Sequence, residues 1–443
     1  MSTAPVLSPE VLWQRLGRFP PATGYCVAYS GGRDSHVLLH LMAALRERLD
    51  VPLRAVHINH GLQAAAPDWA LHCSDVCARL AIPLTVIAVA CEVGAGDSLE
   101  EAARTARYRA FEQTLQCGEA LLLAHHQDDQ AETVLLRLLR GAGVHGLAAM
   151  PPRRPLGRGL LLRPLLDVPA AAVAEYAQAQ GLRWVEDPSN SSDRFDRNFL
   201  RNRLLPLLAE RWPGYAGPLA RAAVHAAEAA ELADALAAQD LEQCADGSGL
   251  DLDALRALPE PRRRNLLRLW LRRQQLRPPD ASRLQAGLQA LLEAGPDRAP
   301  ELAWNGMRLR RYRNRLLLDA ATPALAPQVW DLQRPLPLPD AELRVEPVLG
   351  AGLRQALRSA HVEVRFRTGG ERCRPAGSRH RRSLKKLLQE HGVPPWERQR
   401  LPLIYIDGEL AAVADLWVCE GFQAAPGEPG LRLVRVVNQG PFC

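Results

Sequence analysis

The sequence predicts a doubly wound parallel α/β sheet, then a mainly helical middle region and a small α+β domain, and three observations carry that prediction. Four apolar runs alternate with amphipathic segments of helix length in the first part of the chain. A stretch from about Ala170 to Leu292 keeps helical periodicity almost throughout. A proline-rich segment then leads into short apolar runs separated by turn signals.

Taken in order, the runs Gly24 to Tyr29, Leu53 to Ile58, Leu84 to Ala90 and Ala120 to Ala124 read as buried strands. Each is followed by a helical segment, which makes the sheet parallel and places its ligands beyond the carboxyl ends of the strands. The segment TPALAPQVWDLQRPLPLPDAE, residues 322 to 342, holds five prolines and reads as a semi-rigid linker. Beyond it, VEVRFRTGGERCRPAG and LIYIDGELAAVADLWV suggest the α+β domain, with a turn at Asp407-Gly408. The expected divisions are 1–214, 215–321 (helical), a linker at 322–343, and 344–443.

Composition limits the function classes. With 47% hydrophobic and 23% charged residues, the 443-residue chain is an ordinary globular protein long enough for several cores. It has no run of 18 apolar residues and no basic-then-apolar N-terminus, so the expectation is a cytoplasmic protein without membrane partners. Nine scattered cysteines with no Cys-x-x-Cys signal neither a disulfide framework nor a metal cage. The net charge of +6 hides a polarity: residues 1–260 carry 24 bases and 31 acids, leaving +13 for the rest. That basic half is where a polyanion is expected to bind.

The stretch GYCVAYSGGRDSHVLLHLM breaks a strand with Ser30, Gly31, Gly32, Arg33, Asp34 and Ser35, then resumes as a helix. Such a connection gathers backbone N–H groups at a helix start, where an anion is attracted. It matches neither a Walker loop nor a dinucleotide fingerprint. Asp34 would repel phosphate unless Mg²⁺ lay between them, which makes it a candidate metal ligand. After the second run, HINHGL offers His57, Asn59 and His60 to a nucleobase or ribose. After the fourth, AHHQDDQAETVLLRLLRG sets His125, Asp129 and Glu132 at i, i+4 and i+7, one helical face aimed at Asp34. That cluster suits metal binding, with Asp129 a second ligand, or capture of an ammonium group. Arg104 and Arg107, three apart in SLEEAARTARYRAF, can clamp one phosphate.

Together these residues resemble a known family. SGGRDS is similar to the PP-loop of the ATP pyrophosphatases. HINHGL, EAARTARY, AHHQDDQAETVLLRLLRGAGVHGL, RPLL, WVEDPSN and RNFLRNRLLP together resemble the tRNA(Ile)-lysidine synthases, as does the stretch from VEVRFRTGG to LPLIY. One departure is Gln63, where that family often has arginine after HGL. The resemblance implies ligation of free L-lysine to the wobble cytidine of the minor isoleucine tRNA (CAU anticodon), through an adenylated tRNA. It further implies ATP held by the loop from Ser30 to Ser35 with His57 and Asn59, Mg²⁺ on Asp34 and Asp129, and chemistry at Asp34, Arg104, Arg107, His125, Asp129 and Glu132. Arg163, Asp187, Asn190, Arg197, Asn198 and Arg201 match family positions flanking the site. The tRNA would be gripped by Arg197, Arg201, Arg379, Arg381, Arg382, Lys385 and Lys386; a homodimer is left open.

Two alternatives stand beside it. A PP-loop tRNA thiolating enzyme would share the loop but generally needs a cysteine pair, and only Cys73 and Cys77 lie close in sequence. A non-catalytic RNA-binding module could use RHRRSLKKLL alone, which leaves the acidic cluster unexplained.

Overall fold

The computed structural model describes residues 6–61, 63, 65–90, 99–247, 249–295, 300–320, 325–339 and 341–437; the side chains of residues 99, 100, 190 and 191 are outside that description. The chain forms two compact units, Met1–Leu232 and Ala233–Cys443.

The first unit opens with α1 (Pro9–Leu16), capped by the Ser8 side chain, and continues with β1 (Tyr25–Ala28), α2 (Arg33–Ala44), β2 (Leu53–Asn59), α3 (Ala66–Arg79), β3 (Leu84–Ala88), α4 (Leu99–Thr114) and β4 (Ala120–Leu122). α5 (Gln127–Leu139), α6 (Val144–Leu147), the hairpin β5 (Arg153–Leu156) and β6 (Gly159–Leu162), and α7 (Ala170–Ala179) follow. The sheet order is β3-β2-β1-β4-β6-β5, parallel except for β5. All four expected strands are present. β3 departs from the expected burial, because it is the sheet edge and Val86 is 44% exposed. The hairpin strands were not expected: RRPLGRGLLL mixes exposed arginines with apolar residues and carries no clean alternation.

The strand order decides where a ligand can sit. From β1 the chain steps outward to β2 and β3, then returns to β4 on the other side of β1. The carboxyl ends of β1 and β4 therefore border a switch point, the usual crevice of such sheets. On one face, α2, α3 and α7 bury Val37, Leu38, Leu41, Cys73, Val76 and Val173. On the other, Phe111 of α4 and Leu115 just after it pack against Cys26, Leu121 and Leu161. The rest of this unit includes α8 (Asp196–Phe199), a wide π-turn at Leu200–Leu204, α9 (Leu205–Arg211) and the start of α10 (Ala216–Cys244).

The second unit holds β7 (Ala245–Asp246), β8 (Gly249–Asp251), α11 (Leu252–Ala257), α12 (Glu260–Arg273), α13 (Ala281–Glu293), β9 (Glu301–Trp304), β10 (Met307–Tyr312) and β11 (Arg315–Ala320). The middle segment thus adds a five-stranded sheet, β7-β8-β11-β10-β9, to the expected helices, with Leu266, Leu271, Leu288 and Leu309 buried between them. Two further sheets follow, one of five strands around Val362–Phe366, Pro402–Ile406 and Glu409–Val413, the other of four around Ala341–Leu349 and Pro429–Val437. Asp407 and Gly408 form the expected turn, both with positive φ (48° and 85°), which suits the twist of a two-residue hairpin.

The linker expectation at 322–343 requires correction. Residues 322–324 and 340 lie outside the described residues, but Gln328–Val329 pairs with Glu363–Val364, and Leu336–Pro337 pairs with Glu342–Leu343. Trp330, Leu332 and Leu338 are buried in the C-terminal core. Apolar residues interleaved among the prolines anchor the segment, and Pro337 falls in a short edge strand where a missing N–H costs little.

Candidate active site

The loop between β1 and α2 is knit by its own serines. Ser30 N–H donates to Ser35 Oγ at 3.2 Å, the two hydroxyl oxygens lie 3.0 Å apart, and Ser35 Oγ donates to the Gly32 carbonyl at 3.0 Å. Gly31 adopts φ +87°, a conformation that favours glycine, and a Cβ there would sit a tight 3.1 Å from Cys73 Sγ. Gly32 caps α2 without a side-chain hydrogen bond. The first-turn N–H groups of α2 are therefore directed at the carboxyl edge of the sheet with no side-chain cap to satisfy them, an arrangement that attracts anions.

Asp34, in that first turn, is held from two sides. Arg33 Nε donates to its Oδ1 at 2.9 Å, and His126 Nε2 lies 3.5 Å from its Oδ2. Burial alone would raise its pKa, but His126 and then Arg33 outweigh it and hold the carboxyl below the usual range. His126 shows the reverse balance: burial would lower its pKa, yet Asp34, Asp129 and Asp128 together raise it. The imidazole facing Asp34 is thus His126, where the helical spacing pointed to His125. α5 begins only at Gln127, so His125 precedes it and shares no helical face with Asp129 and Glu132. His126 is the N-cap, in a reciprocal capping box with Asp129: Asp129 N–H lies 3.4 Å from His126 Nδ1 and His126 N–H donates to Asp129 Oδ2 at 3.0 Å. The H-x-x-D spacing of a capping box was the available sequence signal. His125 turns instead to Arg163, whose Nε donates to its Nδ1 at 3.2 Å, and burial and the neighbouring arginines push its pKa down to about 3 despite Asp129, so it is a neutral acceptor.

The acidic pair is closed by two arginines. Glu132, its side chain 2% exposed, accepts from Arg197 Nε at 2.8 Å, Arg201 Nε at 2.6 Å and an Arg201 terminal nitrogen at 2.9 Å. Asp129 Oδ1 accepts from Arg197 at 3.0 Å and Arg201 at 3.1 Å. Burial would raise the Asp129 pKa, but His126 and Arg197 outweigh it and lower it. Arg197 and Arg201, expected as tRNA contacts, are four apart across α8 and the π-turn and here face the acids. Asn198 braces their segment, its amide donating to the Ser189 and Ser192 carbonyls at 2.8 and 3.0 Å. Asp187 caps the turn before it through Ser189 N–H, while the Asn190 side chain falls outside the described residues.

Arg104 and Arg107 lie over the ring of Tyr108, their guanidinium carbons 5.0 and 5.9 Å from its centroid. His57 is buried, its Nδ1–H donating to the Tyr29 carbonyl at 2.9 Å, which leaves only Nε2 for a ligand. Asn59 Oδ1 accepts from Gly61 N–H at 2.9 Å and fixes the turn after β2. Cys73 and Cys77 are core residues, their thiols pushed up by burial to about 12 and about 11. In the second unit, Arg379, Arg381, Lys385 and Lys386 are exposed, whereas Arg382 is ion-paired with Glu390.

Three family models match this chain: a PP-loop domain over residues 12–208, a TilS substrate binding domain over 250–317 and a TilS substrate C-terminal domain over 362–435. A tRNA(Ile)-lysidine synthase from Alkalilimnicola ehrlichii is 48% identical over 432 residues, covering 96% of this chain and 97% of that protein. Proteins of the same name from Pseudomonas aeruginosa and Coxiella burnetii are 47% and 43% identical, covering 95% and 96% of this chain and the same shares of their own lengths. Among solved structures, a U34-tRNA thiolase from Methanococcus maripaludis aligns at TM-score 0.41 and 18% identity over 49% of this chain and 77% of that one, too distant to bear on function. Among the described residues, no helix is long and apolar enough to cross a membrane.

Proposed function

The chain belongs to the tRNA(Ile)-lysidine synthase family, and from that premise we propose that it uses ATP to join free L-lysine to the wobble cytidine of the isoleucine tRNA with a CAU anticodon, in the cytoplasm. One observation carries the reading: the phosphate loop after β1 and the acidic cluster after β4 border the same switch point and meet where His126 approaches Asp34 at 3.5 Å. In the first step the cytidine oxygen attacks the α-phosphate of ATP, the bond to the β-phosphate breaks, and pyrophosphate leaves. In the second, the lysine ε-amino group attacks the activated carbon, a C–N bond forms, AMP departs and the amine loses a proton. The AMP ester is what makes the base oxygen a good leaving group.

This chain's own residues supply binding and charge. Amides of the loop from Ser30 to Ser35 hold the pyrophosphate portion, while Arg104 and Arg107 offset charge growing on the α-phosphate. Asp34, one partly exposed carboxylate beside the loop, fits Mg²⁺, which commonly takes a single carboxylate with phosphate oxygens and waters and would neutralise the departing pyrophosphate. Asp129 and Glu132 are the acids that attract the lysine ammonium. Arg201, 43% exposed against 28% for Arg197, is the arginine able to give way to it. Residues 1–214 carry the reaction in this reading, and 215–321 and 344–443 hold the tRNA. Sulfur transfer finds no support in Cys73 and Cys77, which are buried and protonated.

Mass spectrometry of tRNA incubated with protein, ATP and lysine tests the proposal. The expected product carries lysine in place of the cytidine oxygen and requires ATP. A sulfur-for-oxygen mass change, or no change, overturns it.

A further inference from the structure

β5 runs against the other strands of its sheet, so its first residues stand at the carboxyl edge, where ligands of parallel sheets bind. Arg154 is there, with its guanidinium carbon 4.9 Å from the Tyr108 ring centroid. Arg104 stacks on the same ring at 5.0 Å and Arg107 at 5.9 Å. Arg163, directly after β6 and 3% exposed, stands behind, anchored by the Pro151 carbonyl at 2.7 Å and by His125. Four guanidinium groups thus converge on one half-buried phenol. Among the described residues, no carboxylate pairs with Arg104, Arg154 or Arg163, and Arg154 makes only a 3.3 Å contact with the carbonyl of its neighbour Pro155.

Like charges at this spacing repel, and a ring face offsets only part of that repulsion. Burial would raise the Tyr108 pKa, yet Arg104, Arg163, Arg107 and Arg154 outweigh it and lower it, which registers the strength of the local positive field. Elsewhere in this unit the arginines near the site are matched by acids, as Arg197 and Arg201 are by Asp129 and Glu132. Arg104 and Arg154 thus stand on one ring with no carboxylate partner among the described residues.

We propose that Arg154, positioned by Tyr108, is a further phosphate-binding residue of this active site, completing with Arg104 and Arg107 a three-guanidinium cradle for a phosphate ester of ATP or of the tRNA backbone. The inference rests on the proposed function for the identity of those two ligands. Guanidinium is suited to the task because its fork of donors pairs with phosphate oxygens two at a time. Tyr108 gives the arginines a common floor, with Arg163 held behind it by the Pro151 carbonyl and His125.

The test is binding in the absence of lysine, so that it does not depend on lysidine being formed. ATP affinity is measured by equilibrium dialysis, and tRNA affinity by filter binding across a salt series, for wild type, Arg154→Gln, Arg154→Lys, Tyr108→Phe and Tyr108→Leu. Arg154→Gln should weaken one of the two ligands by roughly tenfold, the scale of one lost charge-assisted contact. If the ligand is tRNA, the logarithmic salt slope should also fall by about 0.7 to 0.9. If it is ATP, the slope should stay fixed while the nucleotide affinity drops. Arg154→Lys should recover part of the loss, Tyr108→Phe should bind nearly as wild type because the ring remains, and Tyr108→Leu should resemble Arg154→Gln. Unchanged affinity for both ligands in Arg154→Gln overturns the inference and leaves the proposed function standing. A wild-type protein that makes no lysidine, with Arg154→Gln still impaired in binding, overturns the function and leaves this subsite.

Discussion

Glu132→Gln isolates the contribution of the closed acidic pair. The carboxylate is 2% exposed and accepts three hydrogen bonds from Arg197 and Arg201, at 2.6 to 2.9 Å. Glutamine keeps the shape and one acceptor oxygen. It turns the other oxygen into an NH₂ group that meets guanidinium N–H, donor against donor, and it removes the negative charge between two arginines. Hydrogen bonds to charged groups contribute about 1.5 to 3 kcal/mol each, and stranding one partner of a buried pair costs about 3 to 5 kcal/mol. Arg201 is 43% exposed and can swing into water, which brings the expected cost down to about 2 kcal/mol. For a unit of this size that is a fall in melting temperature of about 4 to 8 °C. Thermal unfolding followed by circular dichroism measures it, alongside the lysine KM for lysidine formation, which should rise strongly while the KM for ATP moves little. A melting temperature within about 1 °C of wild type would show that the arginines do not depend on this carboxylate, and the reasoning would fail.

Three more outcomes follow from the same geometry. Asp34→Ala should keep the fold, since its carboxylate is partly exposed, but lower tRNA-dependent pyrophosphate release by roughly 100-fold, as for loss of charge stabilisation in a transition state; near-normal turnover would remove Asp34 from the chemistry. Replacing the exposed Arg379, Arg381, Lys385 and Lys386 with glutamine should weaken tRNA binding and flatten its salt dependence by about 0.7 to 0.9 per lost phosphate contact, with ATP affinity unchanged; an unaltered slope would mean that this surface does not hold tRNA. Burial lowers the pKa of His40, whose Nδ1 lies 2.9 Å from the Tyr176 hydroxyl, so the unfolded chain takes up the proton more readily. Its contribution to stability is then present above the ordinary value of 6.5 and lost as pH falls below it, and His40→Gln should flatten unfolding free energy against pH in that window. A denaturation series from pH 7.5 to about 5 decides the point: equal slopes in the two proteins would refute it.

The parts of the site built from neighbours in the chain were determined by the sequence itself. A strand running into Ser30-Gly31-Gly32 and a helix needs only local backbone chemistry to leave the first-turn N–H groups without a side-chain cap, and Asp407-Gly408 needs only two positive φ values to become a hairpin turn. Strands β1, β2 and β4 were equally legible, because burial on both faces writes an apolar run into each, whereas the parallel strand β6 was not. What depended on packing was hidden. Whether His125 or His126 meets Asp34 is set by where α5 begins, and a one-residue difference there turns an imidazole from one side of the crevice to the other. Arg197 and Arg201 read as free cations until folding brings them, 65 to 72 residues away in sequence, onto Asp129 and Glu132. Arg154 reaches the ligand edge only because β5 runs antiparallel, a direction that its own residues do not encode. The prolines between 327 and 339 suggested a spacer, and only the burial of Trp330, Leu332 and Leu338 ties that stretch into the C-terminal core. In each case the sequence supplied the chemical group, while its partner was chosen by contacts between distant segments, whose free energy exists only once the cores have closed.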